Sequence, residues 1–170
     1  SDHAQAPVKP EAFAHRIAFN CIPHIGGFKD DGYTGEEQKM IAESRKILGL
    51  PALRMSATAV RVPTFATHGE SINGECDRAF SVADARAALK DQKGLIVQDD
   101  PEKKIYPMST PGPQSAVEGA AGRDAVYVGR IRKDPSVENG LNLWVVSDNL
   151  RKGAALNAIQ IGEMLVSRLR

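Results

Sequence analysis

Two apolar runs joined by a turn decide most of what this chain can become. Ala125-Val126-Tyr127-Val128-Gly129-Arg130-Ile131-Arg132 is rich in β-branched and aromatic residues, and Lys133-Asp134-Pro135-Ser136 turns it. Gly140-Leu141-Asn142-Leu143-Trp144-Val145-Val146-Ser147 then returns, which predicts a hairpin with a longer connection. A lone hairpin is marginal in water, so further strands must flank it. The candidates are residues 17–22, 54–63, 70–76 and 94–98. The first ends at Pro23-His24-Ile25-Gly26-Gly27, a loop in which His24 reads as a structural residue. Residues 70–76 alternate well enough to be the neighbour of 54–63.

Helix signals punctuate the strands. Thr34-Gly35-Glu36-Glu37 fits a capping box, with Met40, Ile41, Ile47 and Leu48 inward and Gly49 and Pro51 as the stop. Ser81 caps a second helix, from Val82 to about Gln92, with Val82, Ala85, Ala88 and Leu89 inward. Asp148 or Asn149 caps a terminal helix that runs to the end of the chain. Its stripe of Ala154, Ala158, Ile161, Leu165 and Leu169 is widened by Ala155, Ile159, Met164 and Val166, a face that wants partners on more than one side. Gly153, Ala154 and Ala155 at its start leave room for something flat. Residues 1–15, with Pro7 and Pro10, read as a linker or junction carrying the surface histidines His3 and His15. Residues 101–122 are proline-rich and irregular, and a loop of that length is usually functional or mobile.

Bulk properties exclude several classes. A chain of 170 residues, 42% hydrophobic and 25% charged, fits one ordinary globular domain. A net charge of +1 gives no electrostatic footprint for nucleic acid or an anionic membrane. No run of about 18 apolar residues occurs and the first residues lack a signal-peptide core, so no membrane span and a cytoplasmic location are expected. Cys21 and Cys76 have no metal-ligand spacing and read as reduced thiols, Cys21 buried within its apolar run. Asp99-Asp100-Pro101 reads as a turn rather than a metal site. Gly112 and Gly119–Gly122 neither follow a strand nor open a helix, so they carry no phosphate cradle.

Chemistry concentrates in Ala59-Val60-Arg61-Val62-Pro63-Thr64-Phe65-Ala66-Thr67-His68-Gly69-Glu70-Ser71. Arg61 is a fixed cation whose planar fork matches a carboxylate, and His68 supplies an imidazole, the side chain suited to general acid/base work. They lie an odd number of positions apart, so an unbroken strand would point them to opposite faces. Pro63 and the irregular Thr67-His68-Gly69 make a break between them plausible. On residues alone, Arg61 paired with a structural acid and His68 on a wet loop is the favoured reading. Glu36 and Lys39 share one helical face, either as a surface pair or as ligand-binding groups.

This stretch, the helix start Glu36-Glu37-Gln38-Lys39-Met40 and the long run from Ser136-Val137-Glu138-Asn139-Gly140 through Asp148-Asn149-Leu150-Arg151-Lys152-Gly153 to Asn157 resemble the C-terminal half of bacterial aspartate-semialdehyde dehydrogenases. The resemblance runs from about Ile17 to the end. It implies an α+β fold: a mixed, largely antiparallel sheet with helices on one face, like the C-terminal domain of glyceraldehyde-3-phosphate dehydrogenase-like enzymes. It also implies a homodimer formed by the open face. Residues 16–148 would be the dimerisation and substrate-binding domain, and 149–170 a helix returning to a nucleotide-binding domain. The implied reaction is NADP-dependent, phosphate-dependent oxidation of L-aspartate 4-semialdehyde to L-4-aspartyl phosphate, a step toward lysine, threonine and methionine. In it Arg61 binds the substrate carboxylate, Glu36 its ammonium, Lys39 the phosphate, and His68 is the general acid/base. Glu37 is the rival of Glu36 but the better capping residue. Asn149 contacts the nicotinamide end of NADP, with Asn157 as its rival. The family's nucleophilic cysteine and glycine-rich nucleotide loop have no matching context in this chain, which would therefore be inactive alone. The other expectation is a non-catalytic dimerisation module.

Overall fold

The computed structural model describes residues 10–169, which excludes His3 and the start of the expected linker. The chain divides into two compact units between Pro63 and Thr64.

The first unit is organised by helix α1, Gly35–Leu48. Thr34 and Glu37 form the expected capping box: the Thr34 N–H donates to Glu37 Oε2 (2.7 Å) and the Glu37 N–H to Thr34 Oγ1 (3.3 Å). Gly49 ends the helix in the left-handed region (φ 66°), which glycine enters without a Cβ penalty. Glu37 Oε1 also accepts the Ala59 N–H at 2.9 Å, so one carboxylate ties the helix start to the chain before Arg61. Residues 17–22 and 54–63 are not the expected strands; they meet only at a two-way bridge between Ile22 and Arg61. The physical reason is competition. A side-chain carboxylate takes the Ala59 N–H that a ladder would use, Phe19 turns the chain at φ 60°, and Pro63 has no N–H to give. Two further expectations change with this. Ile47 and Leu48 are exposed (81% and 60%), because Thr34 and Glu37 set the inward face of α1. Cys21 is exposed as well, its N–H turned onto the Asn20 side chain.

The second unit holds a four-stranded sheet in the order β1 (His68–Glu75), β4 (Gly140–Ser147), β3 (Val126–Asp134), β2 (Leu95–Val97). β4 pairs antiparallel with both β1 and β3, and β2 adds in parallel to β3. The β3–β4 hairpin forms as its sequence dictates, with Asp134 Oδ1 accepting the Ser136 N–H and hydroxyl in the connection. β1 lies beside β4 rather than beside residues 54–63, because β4 offers it a ladder along its whole length. A bulge between Gly129 and Arg132 puts Arg130 at φ 54°. At Gly129 only a hydrogen fits, since a Cβ there would overlap the Gln98 carbonyl oxygen. Helix α2, Val82–Lys90, is capped by Ser81 and Asp84 and packs beside β2 and β3, with Ala88 outward instead of inward. Asp99, the first acid of the expected turn, is buried against the Arg86 guanidinium at 2.7 Å. Tyr127, Val146 and Ala120 form the core, with Ala125 and Trp144 packed against it. The fold class is therefore α+β with a mixed, largely antiparallel sheet.

The chain leaves β4 through Asp148 into one π-helical turn, Arg151–Ala155, and then helix α3, Leu156–Arg168. Its Ile159, Ile161, Met164, Leu165 and Val166 side chains are exposed. No helix among the described residues is long and apolar enough to cross a membrane.

Candidate functional site

In the first unit, α1 presents Glu36 and Lys39 one turn apart, and they pair at 2.9 Å with both side chains partly exposed. The hydrogen bond that Lys39 donates to the Glu36 carboxylate, then the charge of Glu36, hold the Lys39 ammonium above its ordinary pKa. An exposed pair of this kind contributes little to stability, so both ends can be given to a ligand at small expense. Glu37 has no such freedom. Its carboxyl is held below its ordinary pKa by the backbone N–H groups of Thr34 and Ala59.

Arg61 is anchored by its backbone: its N–H donates to Ile22 O (2.8 Å), and its carbonyl accepts from Ile22 (2.9 Å). Its guanidinium lies 4.7 Å from the Phe13 ring centroid, a cation–π contact that involves a residue of the expected linker. Among the described residues no carboxylate pairs with it. It borders a cavity of about 170 Å³ shared with Phe13, Ile22, His24 and Gly26. His24 stacks on Phe28 at 4.5 Å, in keeping with a structural role.

His68 opens β1 in the second unit, with its side chain exposed. Residues 62–67, between Arg61 and His68, are irregular. The chain on either side of His68 is tightly held. Thr67 is buried and sits at φ 82°, a region where a β-branched residue is strained. Its N–H donates to Asn149 Oδ1 at 3.1 Å, and the Ser109 hydroxyl donates to Ala66 O at 2.7 Å. After His68, Gly69 lies under the Trp144 indole, where a Cβ would meet Cζ2 and Cη2 at 2.9 Å. The indole N–H donates to Pro107 O at 2.9 Å. The irregular segment 101–122 is thus bound to Ala66, just before β1, and to Trp144 of β4.

Asn149 follows Asp148, whose carboxylate accepts the N–H groups of Leu150 and Arg151 (both 2.9 Å) ahead of the π-helical turn and also that of Gly122 (2.7 Å). The Gly122 N–H, then that of Arg151, hold the Asp148 carboxyl below its ordinary pKa. Neither expected cap takes the N-cap position, which falls to Leu150 without a side-chain cap; the Asn149 carboxamide is turned onto Thr67 instead. The Asn149 Nδ2 has no partner among the described residues, so it can donate to a carboxamide oxygen such as that of nicotinamide. Asn157 Oδ1 instead lies near Lys152 Nζ (3.4 Å). A larger cavity of about 270 Å³, between Ser71, Tyr106, Arg130 and Trp144, contains none of the expected site residues. Thr67 and Ser109 were not singled out by the sequence. No local pattern marks a serine in an irregular loop as the partner of a carbonyl far back in the chain.

Comparison with known proteins gives these positions a context. Residues 1–152 match the model of the semialdehyde dehydrogenase dimerisation domain. The aspartate-semialdehyde dehydrogenase of Aquifex aeolicus is 51% identical over 158 residues, covering 93% of this chain and 44% of that protein. The crystal structure of aspartate semialdehyde dehydrogenase II from Vibrio cholerae is 40% identical, with a TM-score of 0.83, covering 95% of this chain and 45% of that one. The same Vibrio cholerae protein complexed with ASA superposes equally well. The Candida albicans enzyme with NADP is 27% identical over 88% of this chain and 45% of that one, with a TM-score of 0.62. The chain spans less than half the length of these relatives. It belongs to the family of semialdehyde dehydrogenase dimerisation domains, as the C-terminal part of aspartate-semialdehyde dehydrogenase.

Proposed function

We propose that this chain is the substrate-binding and dimerisation half of a cytoplasmic, homodimeric, NADP-dependent aspartate-semialdehyde dehydrogenase, inactive without its nucleotide-binding half. The observation that carries the reading is Arg61: a fixed cation with no acid partner among the described residues, held by Phe13 beside a small cavity. Such a group awaits an anion, and an amino-acid semialdehyde supplies a carboxylate.

Each remaining group has a matching task. Arg61 clamps the α-carboxylate and fixes the orientation of the aldehyde. Glu36 accepts from the substrate ammonium, and Lys39, kept charged by Glu36, draws the phosphate. An imidazole nitrogen of His68 moves the proton that must leave and return as the carbonyl carbon changes geometry. Asn149 Nδ2 holds the nicotinamide carboxamide. NADP, when bound, accepts the hydride. The nucleophilic thiol comes from the other half, and the exposed apolar face of α3 returns to that half.

The test joins the N-terminal portion of the Aquifex aeolicus relative to this chain. Reduction of NADP is then followed with aspartate semialdehyde, with and without phosphate. Turnover that needs both supports the reading; a folded, dimeric fusion without turnover overturns it.

A further inference from the structure

We propose that Ser109 and Asn149 are positioning residues for His68, acting through the strained turn at Ala66-Thr67; the proposal rests on the acid/base role assigned to His68 above. Thr67 occupies a left-handed conformation that costs free energy and persists only where its surroundings over-determine it. Those surroundings are visible. The Ser109 hydroxyl holds the carbonyl of Ala66 (2.7 Å), and the Asn149 carboxamide oxygen holds the Thr67 N–H (3.1 Å). These are the two polar groups of the single peptide unit that joins Ala66 to Thr67. A peptide plane gripped at both ends cannot rotate. The orientation of that plane fixes where β1 begins and where the His68 Cα–Cβ bond points.

The anchors are themselves anchored. Asn149 follows Asp148, whose carboxylate binds three backbone N–H groups, and His68 pairs across the ladder with Ser147, just before Asp148. Ser109 lies two residues after Pro107, whose carbonyl takes the Trp144 indole N–H. Two segments remote in sequence thus converge on one peptide bond, leaving the exposed imidazole free to meet substrate while its backbone stays still. Asn149 serves both ends: its oxygen is spent on Thr67 and its amide nitrogen remains available.

Two measurements test this. In the chain itself, hydrogen exchange of the Thr67 amide should rise severalfold in Asn149→Ala and Ser109→Ala, because the amide loses its acceptor or the plane loses its second grip. In the fusion enzyme, Ser109→Ala should lower kcat on the order of 100-fold with KM for the aldehyde nearly unchanged, the signature of a misplaced catalytic group. Ser109→Thr, which keeps the hydroxyl, should restore most of kcat. Unchanged Thr67 exchange, or a Ser109→Ala enzyme that turns over like its parent, overturns the proposal. A parent fusion without turnover would remove the proposed function and the catalytic part of this inference together. Loss of Thr67 protection in the same variants would still establish the clamp.

Discussion

Gly69→Ala is the substitution in which several links of this structure can be weighed against each other. Gly69 is not at a positive φ, so nothing in its own backbone demands glycine, and alanine in a strand should stabilise by about 0.5–1 kcal/mol. Against that, the new Cβ would sit 2.9 Å from two carbons of the Trp144 ring. The ring is not a loose end. Its N–H is bound to Pro107 O, and its body packs on the Tyr127–Val146 core. Forcing it aside costs about 1–3 kcal/mol in overpacking. Losing the indole hydrogen bond adds about 1 kcal/mol. The clash wins, with a net destabilisation of about 1–3 kcal/mol. Trp144 is the sole tryptophan, so urea unfolding followed by its emission reports both the stability and the local environment. The expected result is a lower urea midpoint with an emission maximum already shifted in the native baseline. An unchanged emission maximum with an equal or higher midpoint would refute the packing argument.

Three other expectations follow from the same reasoning. Glu37→Ala should lower the unfolding midpoint measured by far-ultraviolet circular dichroism, since it strips the Thr34 and Ala59 N–H groups of their acceptor, whereas Glu36→Ala should leave the midpoint within scatter. Asp148, with an ordinary pKa of 3.8, is held lower in the fold by the N–H groups of Gly122, Arg151 and Leu150. Its stabilising contribution is complete above pH 3.8 and lost as pH falls through the depressed value, so Asp148→Asn should flatten the acid limb of a stability–pH curve without changing its shape above about pH 6. In the fusion enzyme Arg61→Lys should raise the aldehyde KM by about 10-fold or more, the loss of one charge-assisted hydrogen bond, because a lysine cannot make the paired contact.

What the sequence discloses and what it conceals divide along a physical line. The Thr34–Glu37 capping box and the Ser81 cap are contacts within one helical turn, and both form as expected, with Asp84 completing a second box that the sequence reading did not name. The β3–β4 hairpin is likewise local, and its period-2 pattern is enough to find it. Strand pairing between remote segments is decided elsewhere. Residues 54–63 alternate like a strand, yet the Glu37 carboxylate captures the Ala59 N–H, and no alternation pattern registers such a competitor. β1 was recognisable as a strand but not as the neighbour of β4, because register is a property of two strands and neither carries it alone. Arg61, His68, Glu36 and Lys39 take their proposed roles from residue types in a family pattern. The grip of Ser109 on Ala66 and the strain at Thr67 were not legible, since each joins segments whose proximity only the folded chain creates.

The central claim, that His68 is the proton-transfer group of this half-enzyme, is tested most directly by kcat of the fusion enzyme carrying His68→Asn. The asparagine keeps hydrogen-bonding capacity but cannot titrate. The account predicts a fall in kcat of about 10²–10⁴-fold, with KM for the aldehyde within a few-fold of the parent. A His68→Asn enzyme that retains the parent's kcat would contradict it.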